Sequence, residues 1–155
     1  MRVAPLSGSA DALALAQLAV RCAQAGRVVA AVCADALAAQ RLADEVAWFA
    51  PAVRVALLPD WETLPYDHFS PHQDLVSERL ATLYRVSRGE CDLIVVAATT
   101  ALYRLAPPEY LAAFTFFLKQ GERLDVGSLR SQLALAGYQH VTQVVSPGEF
   151  SVRGG

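Results

Sequence analysis

Lysine is almost missing from this 155-residue sequence. Of its 13 basic residues twelve are arginine, and Lys119 is the single exception. A phosphate-binding loop of the form G-x-x-x-x-G-K-[ST] needs a lysine to reach the β- and γ-phosphates of a nucleotide, and the first hundred residues offer none. Cysteine is scarce too: Cys22, Cys33 and Cys91 are odd in number, far apart and without a C-x-x-C pair. That excludes a disulfide framework and a zinc site, and leaves plain buried thiols. Positive charge is not in excess. The net charge of −2 argues against a broadly basic nucleic-acid-binding surface. No apolar run approaches the ~20 residues of a membrane helix, and Met1–Gly8 carries no apolar stretch of the secretory kind. The expectation is a cytoplasmic protein with no membrane partner.

What is present is apolar material, 54% hydrophobic residues against 18% charged, the balance of a packed chain. Asp11 to Ala25 is rich in alanine and leucine and is closed by Gly26, the pattern of a helix with its C-terminal glycine. Arg27 to Cys33 reads as a short strand. Asp35 to Phe49 reads as a second helix, with Leu37, Leu42, Val46 and Phe49 near one face and Arg41, Asp44 and Glu45 away from it. Val53 to Leu58 is a further strand. Ser70-Pro71-His72-Gln73 resembles a helix opening, with Ser70 capping, Pro71 in the first turn and Gln73 completing a capping box. That helix runs to about Val86. Asp92 to Ala98 is a near-continuous apolar strand, as in a parallel sheet covered on both faces.

Strands alternating with helices at this spacing predict an α/β domain, a parallel sheet with helices on both faces. Thr99–Leu105 and Pro108–Ala113 are short helices on the way out. From Phe114 the pattern changes. Phe114 to Lys119 reads as a strand, Asp125 caps a helix to about Ala136, and Gly137 ends it. His140 to Val145 and Glu149 to Arg153 read as two strands across the turn Ser146-Pro147-Gly148. In the second, alternation places Glu149 and Arg153 on one face and Phe150 on the other. A chain that stops just after such a strand begins is expected to be a piece of a longer protein.

The candidate chemistry is thin. Leu6-Ser7-Gly8-Ser9-Ala10-Asp11 stands where a nucleotide loop would be, but it lacks a second glycine and a lysine. Asp11 puts negative charge where a phosphate would sit. It reads as a capping loop. His68 and His72 are four apart, yet Pro71 between them places His68 before the helix, so a shared metal is disfavoured. Asp60 and Glu62 lack an evident catalytic partner for hydrolysis. Trp61, Tyr66 and Phe69 stand among acids and read as packing for the segment Pro59–Ser70, not as bases for stacking nucleic acid. The terminal strand offers Arg153 to a carboxylate on another protein.

Several strings resemble one family closely. Asp60-Trp61-Glu62-Thr63-Leu64-Pro65-Tyr66-Asp67 and Phe69-Ser70-Pro71-His72-Gln73-Asp74 are similar to the N-terminal region of the bacterial transcription-repair coupling factors, the Mfd family. The likeness continues through Ser77-x-Arg79-Leu80-x-Thr82-Leu83-Tyr84, Gly121-x-Arg123-Leu124, Ala136-Gly137-Tyr138-x-His140-Val141 and Gly148-Glu149-Phe150-x-x-Arg153-Gly154. It implies, for residues 1–112, the first part of a degenerate RecA-like domain similar to UvrB and without a working nucleotide site. For residues 113–155 it implies the beginning of a small α+β UvrA-binding domain.

In this family an arginine of the R-G motif contacts UvrA, and Arg153 matches it; Gln139 stands where many relatives carry arginine. The resemblance further implies an adaptor segment with no catalytic, cofactor or metal residue of its own, recruiting UvrA to RNA polymerase stalled at damage. The parent is a DNA translocase that binds double-stranded DNA and uses ATP and magnesium in its motor. The alternative, a fragment of a UvrB-like subunit that contacts damaged DNA, calls for a Walker lysine and a Tyr-rich hairpin. Trp61 to Asp74 is short where UvrB has that hairpin.

Overall fold

The computed structural model describes residues 6–61, 68, 71–105, 107–113, 118, 120–146 and 148–153. The chain divides into two compact units, Met1–Ala112 and Ala113–Gly155. In the first, helix α1 (Ala10–Gln24) leads to strand β1 (Val29–Cys33), helix α2 (Ala36–Phe49), strand β2 (Val55–Leu58), helix α3 (Gln73–Ser87) and strand β3 (Leu93–Ala97). The short helices α4 (Ala98–Ala101) and α5 (Pro108–Ala113) follow. The three strands form a parallel sheet in the order β1-β3-β2, so the last strand lies between the two earlier ones. Leu93 pairs with Val29 on one side and Val55 on the other.

Helix α1 ends as its sequence predicts. Gly26 takes a positive φ of 68°, and the Arg27 and Gly26 amides donate to the Cys22 and Ala23 carbonyls, which closes the last turn. Its buried residues are Ala12, Ala16 and Ala19, one per turn on a single stripe. Side chains this small let α1 approach α2, whose buried stripe is Ala39, Leu42, Ala43 and Val46. Leu93 and Val95 of the central strand, both wholly buried, complete the core. Each such side chain contributes about 1.5–3 kcal/mol by burial.

Leu37 does not join this core. It is 81% exposed, because the stripe of α2 runs through the alanines at 39 and 43 and carries position 37 to the opposite side. Alternation in β2 and β3 buries Ala56, Leu58 and Val96 as well as the residues facing α1 and α2. Both faces are therefore covered at β2 and β3, while Val32 of β1 is 63% exposed. The register at the start of β2 and β3 is fixed by one ion pair. Asp92 accepts from the Arg54 backbone amide at 2.9 Å and from its guanidinium at 2.7 and 3.0 Å.

Helix α3 starts later than its sequence indicates. His72 is the capping residue, its Nδ1 accepting from the Asp74 amide at 3.3 Å. Pro71 precedes the cap, and Ser70 lies outside the described residues. An extended His72 with a ring acceptor takes the role expected of serine, two residues further on.

The second unit holds helix α6 (Val126–Leu135) and strands β4 (Gln139–His140) and β5 (Glu149–Phe150). Asp125 caps α6 through the Gly127 amide at 3.0 Å. The strands pair parallel, Gln139 with Glu149 and His140 with Phe150. This corrects the hairpin read from the sequence. The Glu149 carboxylate accepts from the Val145 and Ser146 amides at 2.8 and 3.0 Å. The pairing being parallel, the chain enters both strands from the same end. β5 stops at Phe150, so alternation does not extend to Arg153; Glu149 and Phe150 are both half-buried. The strand read over Phe114–Lys119 falls mostly outside the described residues, and Leu118, which is described, is not in a strand.

Candidate functional site

The loop before α1 is where an α/β domain of this order would hold a phosphate, at a helix N-terminus. Here that end carries its own anion. The Asp11 carboxylate accepts from the Ala12 amide at 2.8 Å and from the Arg41 guanidinium at 2.7 and 3.4 Å. Arg41 continues to Glu45 at 2.8 Å, one turn along α2. Arg41 foremost, with the Ala12 amide, holds the Asp11 carboxyl below the usual carboxylate range against the opposing effect of burial. Ser9 caps α1 without a side-chain hydrogen bond. Helix α1 thus starts at an internal ion pair linking it to α2.

A second polar cluster sits at the carboxyl ends of β2 and β3, the edge where open α/β sheets place their ligands. Asp60 follows β2. Its carboxylate accepts from the Thr99 hydroxyl at 2.9 Å, from the Thr100 hydroxyl, and from the Trp61 amide at 2.9 Å. Thr99 and Thr100 stand in α4, directly after β3, so this carboxylate ties the two strand ends together. Burial pushes the Asp60 carboxyl up, but the two hydroxyls, the Trp61 amide and the charge of Arg79 hold it below its ordinary value.

Arg79 of α3 is 3% exposed. Its guanidinium donates to the Pro59 carbonyl and lies 4.1 Å from the centre of the Trp61 ring, a cation–π contact. Burial lowers its pKa, and Asp60 and Tyr103 oppose that. Beside it Thr82, also buried, donates to the Leu57 carbonyl at 3.3 Å. A cavity of about 290 Å³ opens next to Asp60, lined also by Gln40, Leu58, Leu75 and Glu78.

The predicted residues fall into place unequally. Asp60 and Trp61 belong to this cluster, Trp61 packing on Arg79 as a packing role requires. Glu62, Tyr66 and Phe69 lie outside the described residues. His72 is used as a cap and lies 3.4 Å from Asp74, and among the described residues no group of three His, Cys, Asp or Glu is placed to hold a metal ion. Cys91 is buried, but Cys22 and Cys33 are only half-buried. Arg79, Thr99 and Thr100 received no role from the sequence. Their one signal was an arginine at 79 with Thr82 a turn later, on a helix side that has to meet the sheet.

In the second unit Arg153 is exposed, three residues past the end of β5. No carboxylate among the described residues pairs with it. Among the described residues, no helix is long and apolar enough to cross a membrane.

Residues 116–155 match the family model of the UvrB interaction domain. The transcription-repair-coupling factor of Escherichia coli (strain K12) is 43% identical over 149 residues, which is 96% of this chain and 13% of that protein. The factor of Haemophilus influenzae is 39% identical over 145 residues, 94% of this chain and 12% of that protein. The Bacillus subtilis factor is 29% identical over 154 residues, 99% of the chain and 13% of that protein. The chain therefore spans about an eighth of the length of these relatives.

Proposed function

Because the chain belongs to the transcription-repair-coupling factors, as a segment spanning 12–13% of their length, we propose that it is the amino-terminal adaptor of such a factor and docks UvrA. The reading rests on one observation above others. The residues matched as a UvrB interaction domain, 116–155, lie within the second unit, which presents Arg153 exposed and unpaired among the described residues. An arginine fork beside a partner carboxylate forms charge-assisted bonds of about 1.5–3 kcal/mol each.

The first unit is a degenerate RecA-like scaffold in this reading. Its helix N-terminus is engaged by Asp11 and Arg41, and its sequence contains no lysine, so we assign it no catalytic, cofactor or metal residue. The complete factor is the ATP-dependent DNA translocase. ATP and magnesium belong to its motor, and RNA polymerase and double-stranded DNA to its other parts. All of it works in the cytoplasm. The test is a pull-down with the full-length factor. Arg153→Ala is expected to weaken UvrA capture about tenfold while the ATPase rate stays unchanged. Undiminished capture removes Arg153 from the contact surface.

A further inference from the structure

The second unit carries a feature beyond Arg153. A cleft of about 440 Å³ lies between α6 and the β4–β5 pair, lined by Gly127, Arg130, Ser131, Ala134, His140 and Phe150. One of its sides is half-buried Phe150, whose ring centre lies 5.2 Å from that of His140. Arg130 and His140 line it and are exposed. Ser131 donates its hydroxyl to the Gly127 carbonyl at 3.2 Å.

Among the described residues no carboxylate lines this cleft, and its charged lining residue is Arg130. Asp125 stands at its Gly127 end as the cap of α6, and Glu149 accepts from the Val145 and Ser146 amides. Arg130 has no ion-pair partner among the described residues. The cleft thus presents the exposed Arg130 guanidinium beside the half-buried Phe150 ring. That combination fits a side chain ending in a carboxylate and packing its stem on a ring.

We propose that the Arg130–His140–Phe150 cleft receives an acidic side chain of the protein partner, a second anchor point beside Arg153. The proposal rests on the UvrA-docking reading and names a contact that reading does not require. The anchor sits on a helix and a strand pair, and so is held more rigidly than Arg153 in the tail after β5.

The test is calorimetric titration of purified UvrA into the full 155-residue chain and its variants, with far-UV circular dichroism as the check on folding. Arg130→Gln is expected to weaken binding about tenfold, and Arg130→Lys to weaken it less. Ser131→Glu places a carboxylate at the cleft without touching the arginine, and is expected to weaken binding as well. If the wild type binds and Arg153→Ala weakens it while Arg130→Gln and Ser131→Glu bind as the wild type does, the cleft is overturned and the docking reading stands. If the wild type does not bind UvrA, both fall.

Discussion

Asp11 and Arg41, thirty residues apart, meet at 2.7 Å across the start of α1 and the middle of α2. The pair sets an internal carboxylate on the amide end of the first helix, the position where a related nucleotide-binding domain would place phosphate. It is half exposed, so salt screens it and its direct effect on stability is modest. Its consequence lies in what it excludes. Arg41→Ala is expected to leave the fold intact and to lower the thermal midpoint slightly, more at low salt than at high. A shift independent of salt would contradict an electrostatic role.

The buried Arg79 is a different matter. It joins α3 to the Pro59 carbonyl and the Trp61 ring, and its charge helps keep Asp60 ionised. Removing it strands a carbonyl and leaves Asp60 without its nearby cation. Arg79→Ala should cost about 2–4 kcal/mol in urea unfolding and alter the emission of Trp61. Unchanged stability would show that the cluster at the strand ends is not structural.

In the hydrophobic core, Leu93 is wholly buried at the centre of the sheet. Leu93→Ala removes a large side chain from between three elements and should cost about 2–5 kcal/mol. Leu37→Ala, on the exposed side of α2, should change stability by less than about 0.5 kcal/mol. Denaturant midpoints of the two variants measure the contrast, and equal losses would contradict the assignment of faces.

Acid should unfold the first unit through three carboxylates. Asp11, Asp60 and Asp92 all have folded-state pKa values lowered from 3.8. Each therefore adds stability that is fully present above the unfolded value and is lost as pH falls through it toward the folded value. Urea midpoints should be nearly flat from about pH 7 to 5 and fall below about pH 4. Asp60→Asn should flatten part of that fall. A stability that rises on acidification would refute the assignment.

Much of the first unit was legible from its residues because its signals are local. The apolar run at 92–98 announced a covered parallel strand, and Gly26 marked a helix end whose bonds are now visible, as Asp125 did in the second unit. Leu37 misled because size was taken for burial, whereas two alanines made the closer packing. The turn read at Ser146 to Gly148 is present, with the Glu149 amide donating to the Ser146 carbonyl at 3.3 Å and Gly148 at a positive φ; what the spacing hid is that the strands before and after it pair parallel. The network of Pro59, Asp60, Arg79 and Thr100 joins positions 20 and 40 residues apart. No spacing rule reads that distance; it appears only once the sheet brings strand ends together.

The first unit is a scaffold and not a nucleotide site in the function proposed above. Isothermal titration of magnesium-ATP into the 155-residue chain tests this directly. The expected result is no heat of binding at millimolar nucleotide, with UvrA binding by the same sample unaffected by ATP. Saturable binding in the micromolar range, abolished by a change at Asp11 or Arg41, would contradict it.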